Sequence, residues 1–247
     1  MLVQSLEDLR LWNPGPVVEY VGSGLLLPQS KAVIFGAPKL GKSILAKQLA
    51  FCLCTGTDWL GFKTIQVPLR CLYVQCEIPK LMLRERLLKM EPNAPPAPGK
   101  FITATEFSLR LDNPVMKQDL ELEISKHHPN VVFLDSLYKL ITTPDIPTFA
   151  RLFDYWDYLV ETYHITLVVI AHDRKPMLGP SGQPLNLGGT DLSGPRNLEA
   201  WFETIIRLDG DLSTDERILS LETRHSDVLC PPINLKLNRL KLWLERA

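Results

Sequence analysis

Short apolar runs recur along the chain at 31–35, 70–76, 100–104, 131–135 and 165–171, and segments of mixed polarity with helical spacing separate them. The runs are rich in Val, Ile, Leu, Phe and Tyr, as buried strands are. The intervening segments predict helices after residue 42, over 78–90, over 114–126 and over 146–162. A β/α alternation of this kind implies a parallel sheet with right-handed crossovers. From residue 197 the pattern changes to a short helix and then β segments at 202–208, 216–223, 233–237 and 239–244, which predict antiparallel strands added at an edge. The expected fold class is therefore α/β: a three-layer sandwich with a mostly parallel central sheet and antiparallel C-terminal edge strands. Residues 1–30 read as a lead-in segment and 31–247 as the main domain.

Local signals refine this outline. Ser5-Leu6-Glu7-Asp8 is a helix start with a capping hydroxyl and first-turn acids, and Asn13-Pro14-Gly15-Pro16 ends it. Residues 17–27 are an apolar lead-in to the first strand, and 55–69 a loop or short hairpin. Residues 93–99 are proline-rich but too short to act as a linker between domains. The Gly- and Pro-rich stretch 173–196 is a long loop, and loops of that length inside a domain usually carry function.

The first strand runs into Gly36-Ala37-Pro38-Lys39-Leu40-Gly41-Lys42-Ser43, which fits G-x-x-x-x-G-K-[ST], the phosphate-binding loop. Its glycines let the backbone turn its N–H groups toward an anion. The Lys42 ammonium is expected at the β- and γ-phosphates, and the Ser43 hydroxyl on Mg²⁺. The following helix, through Ile44, brings its positive end to the phosphates.

Composition narrows the function classes. The chain has 247 residues, 45% hydrophobic, and a net charge of −1, so no global basic field advertises nucleic acid. No apolar run approaches the ~20 residues of a membrane span, and the N-terminus lacks the basic start and apolar core of a signal peptide. Five cysteines match neither a disulfide framework nor a metal-ligand spacing. Buried thiols in a reducing cytoplasm are expected.

Other residues with chemical capacity fall at strand ends. Asp135 closes the 131–135 run, the place for a carboxylate that supports Mg²⁺, or for a cap of the next turn. Ser136 follows it where many ATPases have a glutamate, so a water-activating carboxylate has to come from elsewhere. Glu77, at the end of the second run, is the candidate, with helix capping as its other reading. His172 ends the fifth run, either facing the same crevice to contact γ-phosphate or water, or simply satisfied there. His127 and His128 are expected at a helix C-terminus, interacting with its dipole. His164 and His225 have no evident partner. Phe149, Phe153, Tyr155, Trp156 and Tyr158 form an aromatic stripe that reads as core. Arg174, Lys175 and Arg196 against Asp173 and Asp191 make the 173–196 loop weakly basic.

Together these residues resemble the RecA-like ATPases, in particular hexameric plasmid replication helicases of the RepA type, over nearly the whole chain. Glu19-Tyr20-Val21 with Gly24-Leu25-Leu26 is similar to that family's lead-in. Leu72-Tyr73-Val74 through Glu77 resembles its strand ending in the catalytic glutamate, VFLDSLYKL its metal-binding strand, and VVIAHDRK its strand ending in histidine. Gly189-Thr190 onward to Ile206-Arg207-Leu208 is similar to the loop and strand that close the site. The resemblance implies ATP and Mg²⁺ bound by Lys42 and Ser43, Asp135 supporting the metal, Glu77 activating water and His172 sensing γ-phosphate. It places Arg207 at a trans-acting arginine-finger position and Arg224 at a related finger position of DnaB-type helicases. It so implies a homo-oligomeric ring, a hexamer as in that family, with single-stranded DNA contacting loop 173–196. Departures from the pattern are Ala171 for the first of two histidines, Gly188 for a loop arginine, Glu222 for a lysine two residues before the finger, and the acids Asp209 and Asp211 near the closing strand.

Overall fold

The structure, a computed structural model, describes residues 3–13, 15–16, 18–173, 198–226 and 230–247. Strands β1 (Lys31–Phe35), β2 (Cys71–Gln75), β3 (Phe101–Thr105), β4 (Val131–Asp135) and β5 (Thr166–Ile170) alternate with helices α2 (Lys42–Thr55), α3 (Lys80–Met90), α4 (Pro114–His127) and α5 (Ile146–Tyr163). Helix α1 (Leu6–Leu11) precedes them. Helix α6 (Leu198–Trp201) and strands β6 (Thr204–Gly210), β7 (Glu216–Thr223), β8 (Ile233–Asn238) and β9 (Trp243–Arg246) follow. The strands form one sheet in the order β3-β2-β4-β5-β1-β6-β7-β8-β9. The expected three-layer α/β sandwich is present.

Two expectations at the tail need correction. The first tail strand, β6, also extends the parallel part of the sheet: it runs parallel to β1, with Phe35 opposite Arg207. On its other side β6 is antiparallel to β7, and β7, β8 and β9 form the expected antiparallel edge. The last strand begins at Trp243 rather than 239. A turn intervenes, in which the Lys241 N–H donates to the Asn238 side chain and Leu242 takes φ 49°.

Alternation along the strands sorts the core into two layers. Ala32, Ile34, Cys71, Tyr73, Val131, Phe133, Val168 and Ile170 face α2. Val33, Phe35, Leu72, Val74, Val132, Leu134, Leu167 and Val169 face α4 and α5. The lead-in joins the α2 side through buried Tyr20, Val21, Leu25 and Leu26, with Val21 bridging Leu26 and Thr64. The aromatic stripe of α5 is core as expected, with Phe149, Tyr155 and Trp156 buried; Tyr158 alone of the five is exposed. Cys52, Cys54, Cys71 and Cys76 are free and buried. Burial pushes the Cys52 thiol up to about 11 and Cys76 to about 12, so these are core residues rather than nucleophiles.

His128 and His164 close α4 and α5 in the left-handed conformation, and His164 Nδ1 lies 3.0 Å from the Gln29 amide oxygen. His127 contacts Glu123 on its own helix at 3.1 Å. No helix among the described residues is long and apolar enough to cross a membrane.

Candidate active site

The carboxyl ends of β1, β5, β4 and β2 lie side by side, and the candidate residues gather there, as ligand sites do in open α/β sheets. The loop after β1 turns at Gly36, where φ is 147° and a Cβ would stand 2.1 Å from the Leu208 carbonyl oxygen. The first loop glycine is thus required by the passage of β6, as well as by the turn. Ala37, Pro38, Lys39 and Leu40 follow, Lys39 in the left-handed region at φ 68°. Gly41 (φ 106°) starts α2 with no side-chain cap, so the Lys42 and Ser43 N–H groups at the helix start suit an anion.

Lys42 is buried, and its Nζ donates to the Ala37 carbonyl at 2.7 Å. Burial brings its pKa down to about 8, against the pull of Asp173, Asp135 and Glu77. A phosphate beside this desolvated ammonium would add counter-charge and favour its protonated form. Ser43 Oγ donates to Asp135 Oδ1 at 3.1 Å. Ile44 continues the helix, its N–H bonded to the Gly41 carbonyl.

Asp135 is fully buried on the α2 side of β4. Its other oxygen, Oδ2, accepts from Tyr73 Oη at 2.7 Å and lies 3.5 Å from Lys47 Nζ. Lys47 also reaches the Gln75 side chain and the Ser43 carbonyl. One carboxylate oxygen is therefore braced from behind, while the other points to Ser43. Two hard oxygen donors, one hydroxyl and one carboxylate, fit a Mg²⁺ ion that keeps waters and phosphate oxygens for its remaining positions. Among the described residues no group of three or more His, Cys, Asp or Glu side chains could hold a metal without such help.

Glu77 lies just beyond β2, next to the end of β4. Ser136 Oγ donates to its Oε1, and His172 Nε2 lies 3.7 Å from the same oxygen. The His172 contact, with the Ser136 hydroxyl behind it, outweighs burial and brings the Glu77 carboxyl down to about 2. At 3.7 Å the histidine contact is long for a hydrogen bond. The His172 Nδ1 atom is buried with no hydrogen-bond partner among the described residues.

Arg207 lies on the opposite face from α2. It sits beside Phe35 (5.7 Å to the ring centroid), and its Nε donates to Asp209 at 2.8 Å. Arg224 follows β7 at the far end of the sheet, where its Nη2 donates to the Ala200 carbonyl. The chain's own fold thus brings Lys42, Ser43, Asp135, Glu77 and His172 together, and leaves Arg207 on the other face and Arg224 at the other end. Arg174, Lys175, Gly188, Gly189, Thr190, Asp191 and Arg196 lie outside the described residues.

Sequence reading passed over Lys47, Tyr73 and Arg217. Lys47 carried a signal: it is a lone cation in the apolar stretch Ile44 to Phe51 of a buried helix. Tyr73 shares the strand parity of Gln75. Arg217 is buried, and its Nε donates to the Leu40 carbonyl of the phosphate loop at 2.8 Å.

This fold and this strand-end constellation define a RecA-like P-loop ATPase. Residues 2–177 match the family described as AAA domain, and the chain belongs to that family. Among solved structures it is similar to the RadB recombinase, at 17% identity and TM-score 0.59 over 89% of this chain and 91% of that one. It is also similar to a KaiC-like protein from the hyperthermophilic archaeon Pyrococcus horikoshii OT3, at 10% identity and TM-score 0.63 over 95% and 100% of the two chains. No curated protein matches.

Proposed function

We propose that this chain is an ATP-hydrolysing motor that assembles as a homo-oligomeric ring in the cytoplasm and acts on single-stranded DNA, in the manner of RepA-type replicative helicases. One observation carries the reading. Glu77 is bracketed by Ser136 and His172, and His172 stands two residues before the segment that begins at 174. A water-positioning carboxylate tied to that segment gives hydrolysis a direct mechanical route to whatever the segment grips.

In this reading Lys42 and the loop N–H groups hold the β- and γ-phosphates, and Ser43 and Asp135 hold Mg²⁺. Bound Mg²⁺ supplies neutralisation of charge building on the phosphate oxygens. Tyr73 and Lys47 keep Asp135 in one orientation. Glu77, with its carboxyl held at about 2, is ionised throughout the neutral range and is a weak base. Its role is to orient the attacking water by accepting its hydrogen bond. That suffices for a loose phosphoryl-transfer transition state, which demands little bond-making from the nucleophile. Arg207 and Arg224 serve a neighbouring subunit's ATP. Self-assembly is supported by α1, which buries none of its residues and exposes Leu6, Leu9 and Leu11, with Trp12 exposed just beyond it.

The test is ATP turnover at low salt with and without single-stranded oligonucleotides. Severalfold stimulation that fades as salt rises is expected. Turnover indifferent to DNA, with no saturable binding, would remove the motor reading. The second reading is a nucleotide-switched assembly ATPase that moves no strand. The net charge of −1 and the Arg207–Asp209 pair favour it. Particle size that changes with ATP while turnover ignores DNA identifies that case.

A further inference from the structure

Arg217 lies at the start of β7, on the α2 side of the sheet, and is 3% exposed. Its guanidinium is held by main-chain carbonyls. Nε donates to Leu40 at 2.8 Å, and Nη1 donates to Asp211 at 3.0 Å, Thr214 at 2.9 Å and Glu216 at 2.5 Å. No ion pair to a carboxylate is present among the described residues. Room for the side chain comes from Gly210, its cross-strand partner: a Cβ there would stand 2.8 Å from Arg217 Cδ and 2.6 Å from the Glu216 carbonyl oxygen, at φ 151°.

A planar fork with this many donors is suited to fixing several carbonyls at once, as a lysine is not. Three of its contacts lie in the β6–β7 hairpin and one in the phosphate loop, 177 residues away in sequence. The Leu40 carbonyl and the Gly41 N–H belong to one rigid trans peptide plane and point in opposite directions. A donor that fixes the carbonyl on the hairpin side therefore turns the Gly41 N–H away from the hairpin.

We propose that Arg217 is a positioning residue of the phosphate loop: it clamps the Leu40 carbonyl to the β6–β7 hairpin and so presets the Gly41 N–H for a nucleotide phosphate. The residue touches no substrate. It acts through the loop peptide, and it contributes a buried positive charge behind the phosphate site. The proposal rests on the nucleotide-binding reading of the loop.

The experiment measures ADP affinity by calorimetry, and the ADP-induced shift of the Gly41 amide resonance by NMR, in the full chain and in Arg217→Met and Arg217→Lys. Loss of one buried, charge-assisted hydrogen bond predicts an ADP Kd raised about tenfold or more in Arg217→Met. A smaller rise is expected in Arg217→Lys, which keeps a cation but loses the fork. The Gly41 amide response to ADP should shrink in both. A purely structural role would lower the urea midpoint and leave the affinity and amide response of the folded fraction unchanged, which would overturn the proposal. If Arg217→Met does not fold, Arg217→Lys decides by the same two readouts. A wild-type chain without ADP affinity overturns the nucleotide reading and this proposal with it. Wild-type binding with indifferent Arg217 variants overturns this proposal alone.

Discussion

At the scale of single residues, burial and charge set what each group can do. Lys42 is a buried ammonium whose pKa has fallen to about 8. Its charge is not what holds the fold together. Lys42→Ala is therefore expected to keep the wild-type urea midpoint while ATP turnover falls by at least about a hundredfold, read from phosphate release. Retained turnover would break the assignment of the loop. Glu77 gives a pH prediction with the opposite bias. Its carboxyl titrates near 2 in the folded chain, below its ordinary value of 4.5, so the folded state favours the ionised form. The stability it contributes is fully present above about pH 4.5 and is lost as pH falls toward 2. Glu77→Gln should flatten that part of the acid unfolding curve. A variant whose acid transition overlays the wild type would show that the Ser136 and His172 contacts do not form.

Elements explain why similar residues have different roles. Gly36 and Gly41 both have positive φ, yet their surroundings differ. A Cβ on Gly36 would collide with the β6 backbone at 2.1 Å, whereas at Gly41 the nearest atom is the Ile44 Cδ1 at 3.9 Å. Gly41→Ala should lose only about 1–3 kcal/mol from backbone strain. Gly36→Ala must also move β6 off β1, so its loss should be clearly larger, or folding should fail. Urea denaturation of the two variants side by side checks the order. Equal losses would mean that β6 does not pass over the loop as described. The same packing logic governs α2. Its Gln48 side chain exchanges two hydrogen bonds with the Leu244 backbone, so the phosphate-loop helix is tied to the last strand of the sheet.

At the scale of the whole molecule the prediction concerns assembly. The fold gathers Lys42, Ser43, Asp135, Glu77 and His172 within one chain. Arg207 pairs with Asp209 on the other face. If Arg207 serves a neighbour, Arg207→Ala should bind ATP normally and lose turnover. Mixing it with Glu77→Gln subunits should restore some of the turnover, because some interfaces then join an intact arginine to an intact glutamate. Mixtures that stay inactive at every ratio would show that the site is complete within one subunit.

The sequence determined the elements and the local chemistry. Strand runs, helix spacing and the G-x-x-x-x-G-K-S loop are properties of neighbouring residues, and their positions in the structure match the reading closely up to residue 170. The β2–β4 pairing puts Tyr73, Gln75 and Asp135 on one face. The partners of those residues were not legible, because they depend on which strands become neighbours. Glu77 meets Ser136 because β2 and β4 are adjacent, Lys47 meets Asp135 because α2 packs across that face, and Arg217 meets Leu40 because β6 joins β1 in parallel. Strand order is settled by how the whole hydrophobic surface is buried, and only the tertiary structure carries that information.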